Sequence, residues 1–492
     1  MEYVMNLASK RNGLLVFTLL FMGMMFNFTV AAESQEEALV PAFPGAEGYG
    51  KYTTGGRGGE VYIVTNLNDS GEGSLRDAVS ESNRTVVFEV SGNLVLDSPL
   101  RIRGDNITIA GQTAPGDGIS VVNHSTYIEG NNTIIRYMTF RMGDRTASTA
   151  DALSVRGRSD LMIDHSSMSW GIDEVASIYE MKNVTLQNSI VAEALHMTDH
   201  DKGRHGFGGI WGSSTSYLNN IIAHNSSRNP RFKGSLEDEG LDFRNNVIYN
   251  WNYKAGYGGN EGNVNMINNY YKYGPDTIMS KRSEMVEPDG NSNWYVNGNH
   301  VYDFLEVTND NRKGVTLSNA STVMLDTAVD VPHGRTRSAQ EAYHYVLENA
   351  GAVIPRRDSI DARIIADVKN GTGRQINSID EVGGWANLSE NAEAPLDSNR
   401  DGIPDYWAEK HGIDPMNDHW AKEVNDDGYT NLEVYLNSIA VDGHHSPEVE
   451  ITSPSLNDLF EEGTSLTIQA EAEVEGATIE KVEFFVGAEK IR

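Results

Sequence analysis

Short apolar stretches recur along residues 85–303, each broken by a polar turn. They read TVVFEVSG, NITIAGQ, TIIRYMTFRMG, LMIDHSSMSWG, NVTLQNSIVAEA, SYLNNIIAHNS, LDFRNNVIYNW, VNMINNYYKYG and WYVNGNHVYDF. Their length and their alternation of apolar and polar positions predict strands. Lined up on Tyr137, His165, Asn188, Asn220, Asn246, Asn269 and Asn299, they repeat at intervals of roughly 23 to 32 residues, the period of a solenoid. A unit this short cannot bury its own apolar face, so the units must stack into one core. Strand-only units with asparagine at one recurrent turn predict an all-β fold, a parallel β-helix. Asparagine tolerates left-handed turn geometry, and stacked side-chain amides can bond along the ladder. Propeller blades need longer units, and a sandwich leaves the asparagine register unexplained.

The flanks break this pattern. Residues 42–59, AFPGAEGYGKYTTGGRGG, are glycine-rich and lead into the alternating strand EVYIVTNL. No Gly-Lys-Ser/Thr follows, so the glycines predict tight turns and not a phosphate loop. NDSGEGSLRDAV predicts a turn and a short helix near residues 75–80. Beyond residue 303 the repeat fades. Residues 338–350 open on a capping box, Ser338 with Glu341, and stop before Gly351; residues 359–369 predict a second helix. An extension over 311–390 is thus expected to cover an open end or side of a solenoid spanning 42–310.

Residues 397–405, DSNRDGIPD, place Asp397, Asn399 and Asp401 at alternate positions, with glycine sixth and Asp405 last, as in a calcium loop of structural role within 395–440. EVNDDGYTNLE offers a second loop, with Val434 at its closing position, followed by a helical YLNSI. The plainer alternative is a pair of Asx-rich turns without metal. From 447 the strands VEITSP, SLTIQAEA and KVEFFVGAEKI predict about half of an immunoglobulin-like sandwich, an incomplete or truncated module.

Charge narrows the partners. Of 492 residues, 70 are Asp or Glu and 39 Lys or Arg, a formal net charge of −31. That excludes nucleic acid as the main partner and suits calcium held by carboxylates. Lys10 and Arg11, an apolar run over 13–30 and Ala31–Ala32 follow the order of a signal peptide, residues 1–32. The expectation is a secreted protein, extracellular or periplasmic, a monomer, and free of the membrane after cleavage. The length of the apolar run leaves a membrane anchor as the alternative. There is no cysteine, which excludes a disulfide framework and thiol chemistry.

Against this acidity, SSRNPRFKG gathers Arg228, Arg231 and Lys233, a cluster that asks for an anion. Earlier turns carry Asp151 in TADALSV, Asp173 and Glu174 in SWGIDEVAS, and Lys202 and His205 in HDKGRHGFGG. Solenoid turns lie about 4.8 Å apart, so these groups can share one cleft with a metal end and an anion end. Asp164 and His165 fit internal turn-fixing hydrogen bonds better than catalysis. His205 reads as a ligand or acid, or equally as a loop residue shaping the cleft. Arg231 reads as a brace or a substrate contact. Trp170, Trp211, Trp251 and Tyr257 read as packing or as sugar-stacking groups.

The chain resembles polysaccharide lyase family 1, the pectate lyases, over about 42–303. The resemblance rests on AFPGAEGYG, DAL after RYMTFRMGD, IDHSSMSWGIDE, AEAL with HDKGRHG, and SSRNPRFKG, in that order. It implies a right-handed parallel β-helix and calcium-assisted β-elimination of α-1,4-polygalacturonate, an acidic polysaccharide, to 4,5-unsaturated oligogalacturonides. It implies Ca2+ ligands at Asp151, Asp173 and Glu174. It also implies substrate binding by Lys202 and Lys233, with Arg228 as base; Arg231 and His205 stand beside them as further substrate-binding candidates from the residues themselves. The base role comes from the resemblance alone, because free arginine holds its proton at neutral pH. Two departures stand out: one further acidic ligand has no match, and Ser166 replaces a common cysteine. A β-helix hydrolase would need paired aspartates on a central strand; the pair Asp426–Asp427 lies instead in the C-terminal loop. A non-catalytic carbohydrate-binding solenoid and a lyase for another uronate polymer also fit these residues.

Overall fold

Strand after strand pairs with its counterpart one turn later, always in parallel. The computed structural model describes residues 39–492 except 147–148, 197–202, 236–237, 418, 442–447, 454–464, 466, 474–483, 487–488 and 492. The expected signal peptide at 1–32 and Lys202 lie outside the described residues. Among those described, three parallel sheets of eleven, eight and nine strands run along one solenoid, a parallel β-helix. Sequence neighbours fall in different sheets, so each coil contributes one strand to each face.

The core forms where the inward columns stack. In the eleven-stranded sheet the register puts Ile135, Ile163, Leu186, Tyr217, Phe243, Met266 and Val296 in one line, all buried. Trp211 stacks on Tyr217 at 4.3 Å. Trp170, Trp211 and Trp251 are wholly buried, so they pack and do not reach a sugar.

The asparagine register is real but differs by one position from the line expected from the repeat. The left-handed turn residues are Tyr137, His165, Asn188, Asn219, Asn245 and Asn268. Asn220, Asn246, Asn269 and Asn299 follow that turn and form the ladder, one line that the sequence merged with the turn line. The Asn246 Oδ1 accepts from the backbone N–H and the side-chain amide of Asn220, at 2.9 and 3.0 Å. Asn269 does the same for Asn246, and Asn299 for Asn269. Each amide also donates to a backbone carbonyl on the preceding turn, as Asn246 does to Tyr217. Buried polar chains of this kind are stabilising only when every member is satisfied, as here.

The helices cover the sides of the solenoid. Ala339–Asn349 has the expected capping box, and Ser359–Asn370 ends on a left-handed Gly371. Their Val346, Leu347, Ile360, Ile364 and Val368 pack on Ile190, Ala192, Ile221 and Val247 of the nine-stranded sheet. Arg141 reaches from that sheet to Asp361 and Asp358 at 2.6 and 3.1 Å, a buried pairing that fixes the helix at its N-terminus. Asn431–Val441 and the loops before it cover the eleven-stranded sheet through Ile403, Trp407, Leu432 and Leu436 against Ile63, Val87 and Ala110. The eight-stranded sheet carries the groups described next. Further on, Glu448–Ser453 pairs antiparallel with Gln469–Glu473, and Phe484–Val486 with Glu489–Ile491.

Candidate functional site

Four consecutive coils deliver the site to the outer side of the eight-stranded sheet. Asp151 precedes the strand Leu153–Arg156, and Asp173 and Glu174 precede Ala176–Tyr179. These strands pair Leu153 with Ala176, which sets the acids side by side. Gly171 permits this. A Cβ there would run into the Glu174 carbonyl, so only glycine lets the 170–174 turn fold back on itself. On the next coils Phe207 bridges to Glu174 on one side and to Ser227 on the other. Arg228, next in sequence, therefore arrives beside Glu174.

Asp151, Asp173 and Glu174 bring ligand oxygens within 4.8 Å of one another. The backbone N–H of Glu174 donates to Asp151 at 3.1 Å, and the hydroxyls of Ser154 and Ser177 bond to the same carboxylate. Burial, and then the charge of Asp173, push the Asp151 carboxyl up to about 7. Crowded carboxylates that resist sharing ionisation, with oxygen donors only, fit a hard divalent cation such as calcium. The other two carboxylates have basic side chains as partners. Arg228 Nη1 forms an ion pair with Glu174. His205 Nε2 lies 2.6 Å from Asp173.

Arg228 is held on three sides. Besides Glu174, its guanidinium lies 4.4 Å from the Phe207 ring centre, and its Nε donates to the Tyr257 hydroxyl at 3.3 Å. Its backbone is left-handed, φ 56°. The strand Arg231–Lys233 continues outward, with Arg231 beside Tyr257 in register and Lys233 paired with Glu180 at 2.5 Å. The structure thus brings together Asp151, Asp173, Glu174, His205 and Arg228, and puts Arg231 and Lys233 along the same sheet. His205 is buried against Asp173.

Phe207 and Glu180 went unnoticed in the sequence. Both flank residues that were singled out, and the strand register links them to the site. Asp164 and His165 are internal: buried Asp164 accepts from Arg136 at 3.0 Å and Gln187 at 2.9 Å. In the 397–405 loop, the carboxylates of Asp397 and Asp401 accept backbone N–H groups of Gly402 and Ile403, and Asp405 accepts from Ser398. Among the described residues these acids do not gather as the Asp151 group does.

The sequence is 39% identical over 416 residues to the probable pectate lyase C of Emericella nidulans, spanning 82% of this chain and 94% of that protein. It is 38% identical over 432 residues to the probable pectate lyase C of Aspergillus fumigatus, 85% and 98% respectively. A family described as bacterial Ig domain matches residues 447–492. Among solved structures, jun a 1, the major allergen from cedar pollen, is 18% identical, covering 63% of this chain and 93% of that one at a TM-score of 0.46. A pectate lyase bound to hexasaccharide is 14% identical, covering 64% and 99% at 0.44.

Proposed function

This chain belongs to the pectate lyase family and is a polysaccharide lyase, and we propose that it is a secreted, calcium-dependent enzyme acting on polygalacturonate. The observation that carries this is the Asp151–Asp173–Glu174 cluster with Arg228 against it. Asp151, Asp173 and Glu174 hold Ca2+ in this reading, and His205 fixes Asp173. When bound there, the cation acts as a Lewis acid on the uronate carboxylate, easing loss of the C5 proton.

The chain's own residues do the rest. Arg228 takes the proton from C5 of the uronate, the electron pair forms the C4–C5 double bond, and the C4–O bond breaks. The leaving oxygen takes up a proton from solvent. To accept that proton Arg228 must be in its neutral form, having given one of its own protons to solvent, and it must be parted from Glu174, whose carboxylate holds its Nη1. Lys233, Arg231 and Lys202 bind neighbouring carboxylates of the polymer, guanidinium groups in bidentate fashion. The loop at Asp397, Asn399, Asp401 and Asp405 is a second, structural calcium site in the same reading. The segments divide as a 42–310 lyase solenoid, a 311–390 cover, a 395–440 calcium-loop segment and an immunoglobulin-like module from 447.

The test is direct. Protein is incubated with polygalacturonate and calcium while the ultraviolet absorbance of an unsaturated uronate is followed. Growth of absorbance that a chelator abolishes is the expected result. New reducing ends without absorbance would mean hydrolysis and would overturn the proposal.

A further inference from the structure

Five residues beyond Asp151 and Glu174, the same strands carry a second polar constellation. Arg156 stands beside Tyr179 in the register of Leu153–Arg156 with Ala176–Tyr179. On the following strands Gly212 stands beside Lys233. The pairing of Ile178 with Trp211 aligns Tyr179 with Gly212. One column thus reads Arg156, Tyr179, Gly212, Lys233. The Arg156 guanidinium lies 5.2 Å from the Tyr179 ring centre, and the Lys233 ammonium lies 4.6 Å from the same ring. Lys233 can reach back because Gly212 has no side chain; a Cβ there would sit 2.9 Å from the Tyr179 backbone. Glu180 closes the group, bonded to Arg156 at 2.5 Å and to Lys233 at 2.5 Å.

Stability does not explain this arrangement. The side chains of Arg156, Glu180 and Lys233 are 60, 41 and 32% exposed, and ion pairs that open to water contribute little to folding. For the same reason the carboxylate of Glu180 is cheap to displace. Hydrogen bonds from Arg156 and then Lys233 hold Glu180 down to about 2, so it leaves by exchange and not by protonation. Two cations against one carboxylate leave a net positive spot on a chain of charge −31. Ser154 and Ser177, which bond to Asp151, lie two residues upstream on the same strands, about 7 Å away at strand rise.

We propose that Arg156, Tyr179 and Lys233 form a subsite for one uronate unit on the wall of the cleft, in which Glu180 stands in for the substrate carboxylate until the polymer displaces it. The cations bind the incoming carboxylate and the tyrosine ring takes the apolar side of the sugar. A methyl-esterified unit, without charge, cannot displace Glu180, so the subsite selects free uronate. This rests on the lyase function proposed above.

The test compares KM and kcat on polygalacturonate for the wild type, Glu180→Gln and Arg156→Gln, with melting temperatures as a check on folding. Glu180→Gln removes the competing charge and is expected to lower KM by roughly two- to fivefold, the range of an exposed ion pair, with kcat unchanged. Arg156→Gln is expected to raise KM by a similar factor with kcat unchanged, the pattern of lost uniform binding, and to lose less on highly methyl-esterified pectin. A KM that is unchanged or raised in Glu180→Gln would make Glu180 a brace for the cations and overturn the subsite. So would an unchanged KM in Arg156→Gln. A wild type that forms no unsaturated product would overturn the lyase function instead, and equilibrium binding of polygalacturonate to the three proteins would then decide the subsite on the same directions.

Discussion

Arg228 is ion-paired with Glu174, a carboxylate that also belongs to the cluster of Asp151 and Asp173. In the proposed calcium site Glu174 would serve two cationic partners, and calcium would compete with Arg228 for it. Arg228→Ala is expected to bind calcium more tightly than the wild type, by about fivefold for a competition of about 1 kcal/mol. Asp151→Asn is expected to weaken binding at least tenfold, since affinity follows ligand charge. Calorimetric calcium titrations without substrate measure both. Weaker binding in Arg228→Ala would show that the pair orders the site and does not compete.

The same arginine is expected to be indispensable for turnover. Arg228→Ala should lose about 100-fold or more in kcat, the usual weight of a positioned proton acceptor, with an unchanged melting temperature. The absorbance assay and a thermal melt, run on one preparation, read both quantities. A rate near that of the wild type would remove Arg228 from the base role.

Asp164 sets an acid limit on stability. Burial pushes its carboxyl up, but the charges of His165 and Arg136 outweigh that and hold it well below the usual carboxylate range. The folded value thus lies under the unfolded one, near 3.9. The stabilisation is complete above that pH and is lost as pH falls below it. Stability should therefore decline below about pH 4, by up to about 1.4 kcal/mol per pH unit from this group. Asp164→Asn should flatten that slope and lower stability at neutral pH by about 3–5 kcal/mol, because Arg136 is left without its charge. Denaturant unfolding at several pH values checks this; an unaltered slope would contradict it.

The asparagine ladder predicts an uneven cost of substitution. Asn246→Ala strands the Asn220 N–H and the Tyr217 carbonyl in the interior, for roughly 2–4 kcal/mol. Its neighbour Asn245 bonds at the rim of the turn, to the Asn268 and Arg337 carbonyls. Asn245→Gly, which keeps the left-handed turn open to the chain, should cost less. Melting temperatures of the two variants give the comparison, and equal losses would place the ladder and the turn on the same footing.

Much of the site was legible because its residues lie in compact motifs. DAL, SWGIDE and SSRNPRFKG each carry their functional side chains within a few positions, and the repeat length says that such motifs stack. Glu180 and Phe207 were not legible. Nothing in SIYEMK or HGFGG distinguishes them from any strand end or turn; only lateral pairing puts Glu180 under Lys233 and Phe207 under Arg228. His205 was ambiguous for the same reason, since its partner Asp173 is more than thirty residues away in sequence.

The sequence by itself determined the architecture. Alternation within strands and the recurrence of short units are local properties, and a chain of such units can bury its apolar faces only by stacking. It did not determine the register, where a shift of one residue exchanges a turn position for a ladder position, as Asn219 and Asn220 show. Apolar periodicity tolerates variable coil lengths and so leaves that shift open. The tertiary structure decided it through the hydrogen bonds between coils. With it came which carboxylate faces which cation, because charge pairing depends on distances of a few ångströms between residues that the chain keeps far apart.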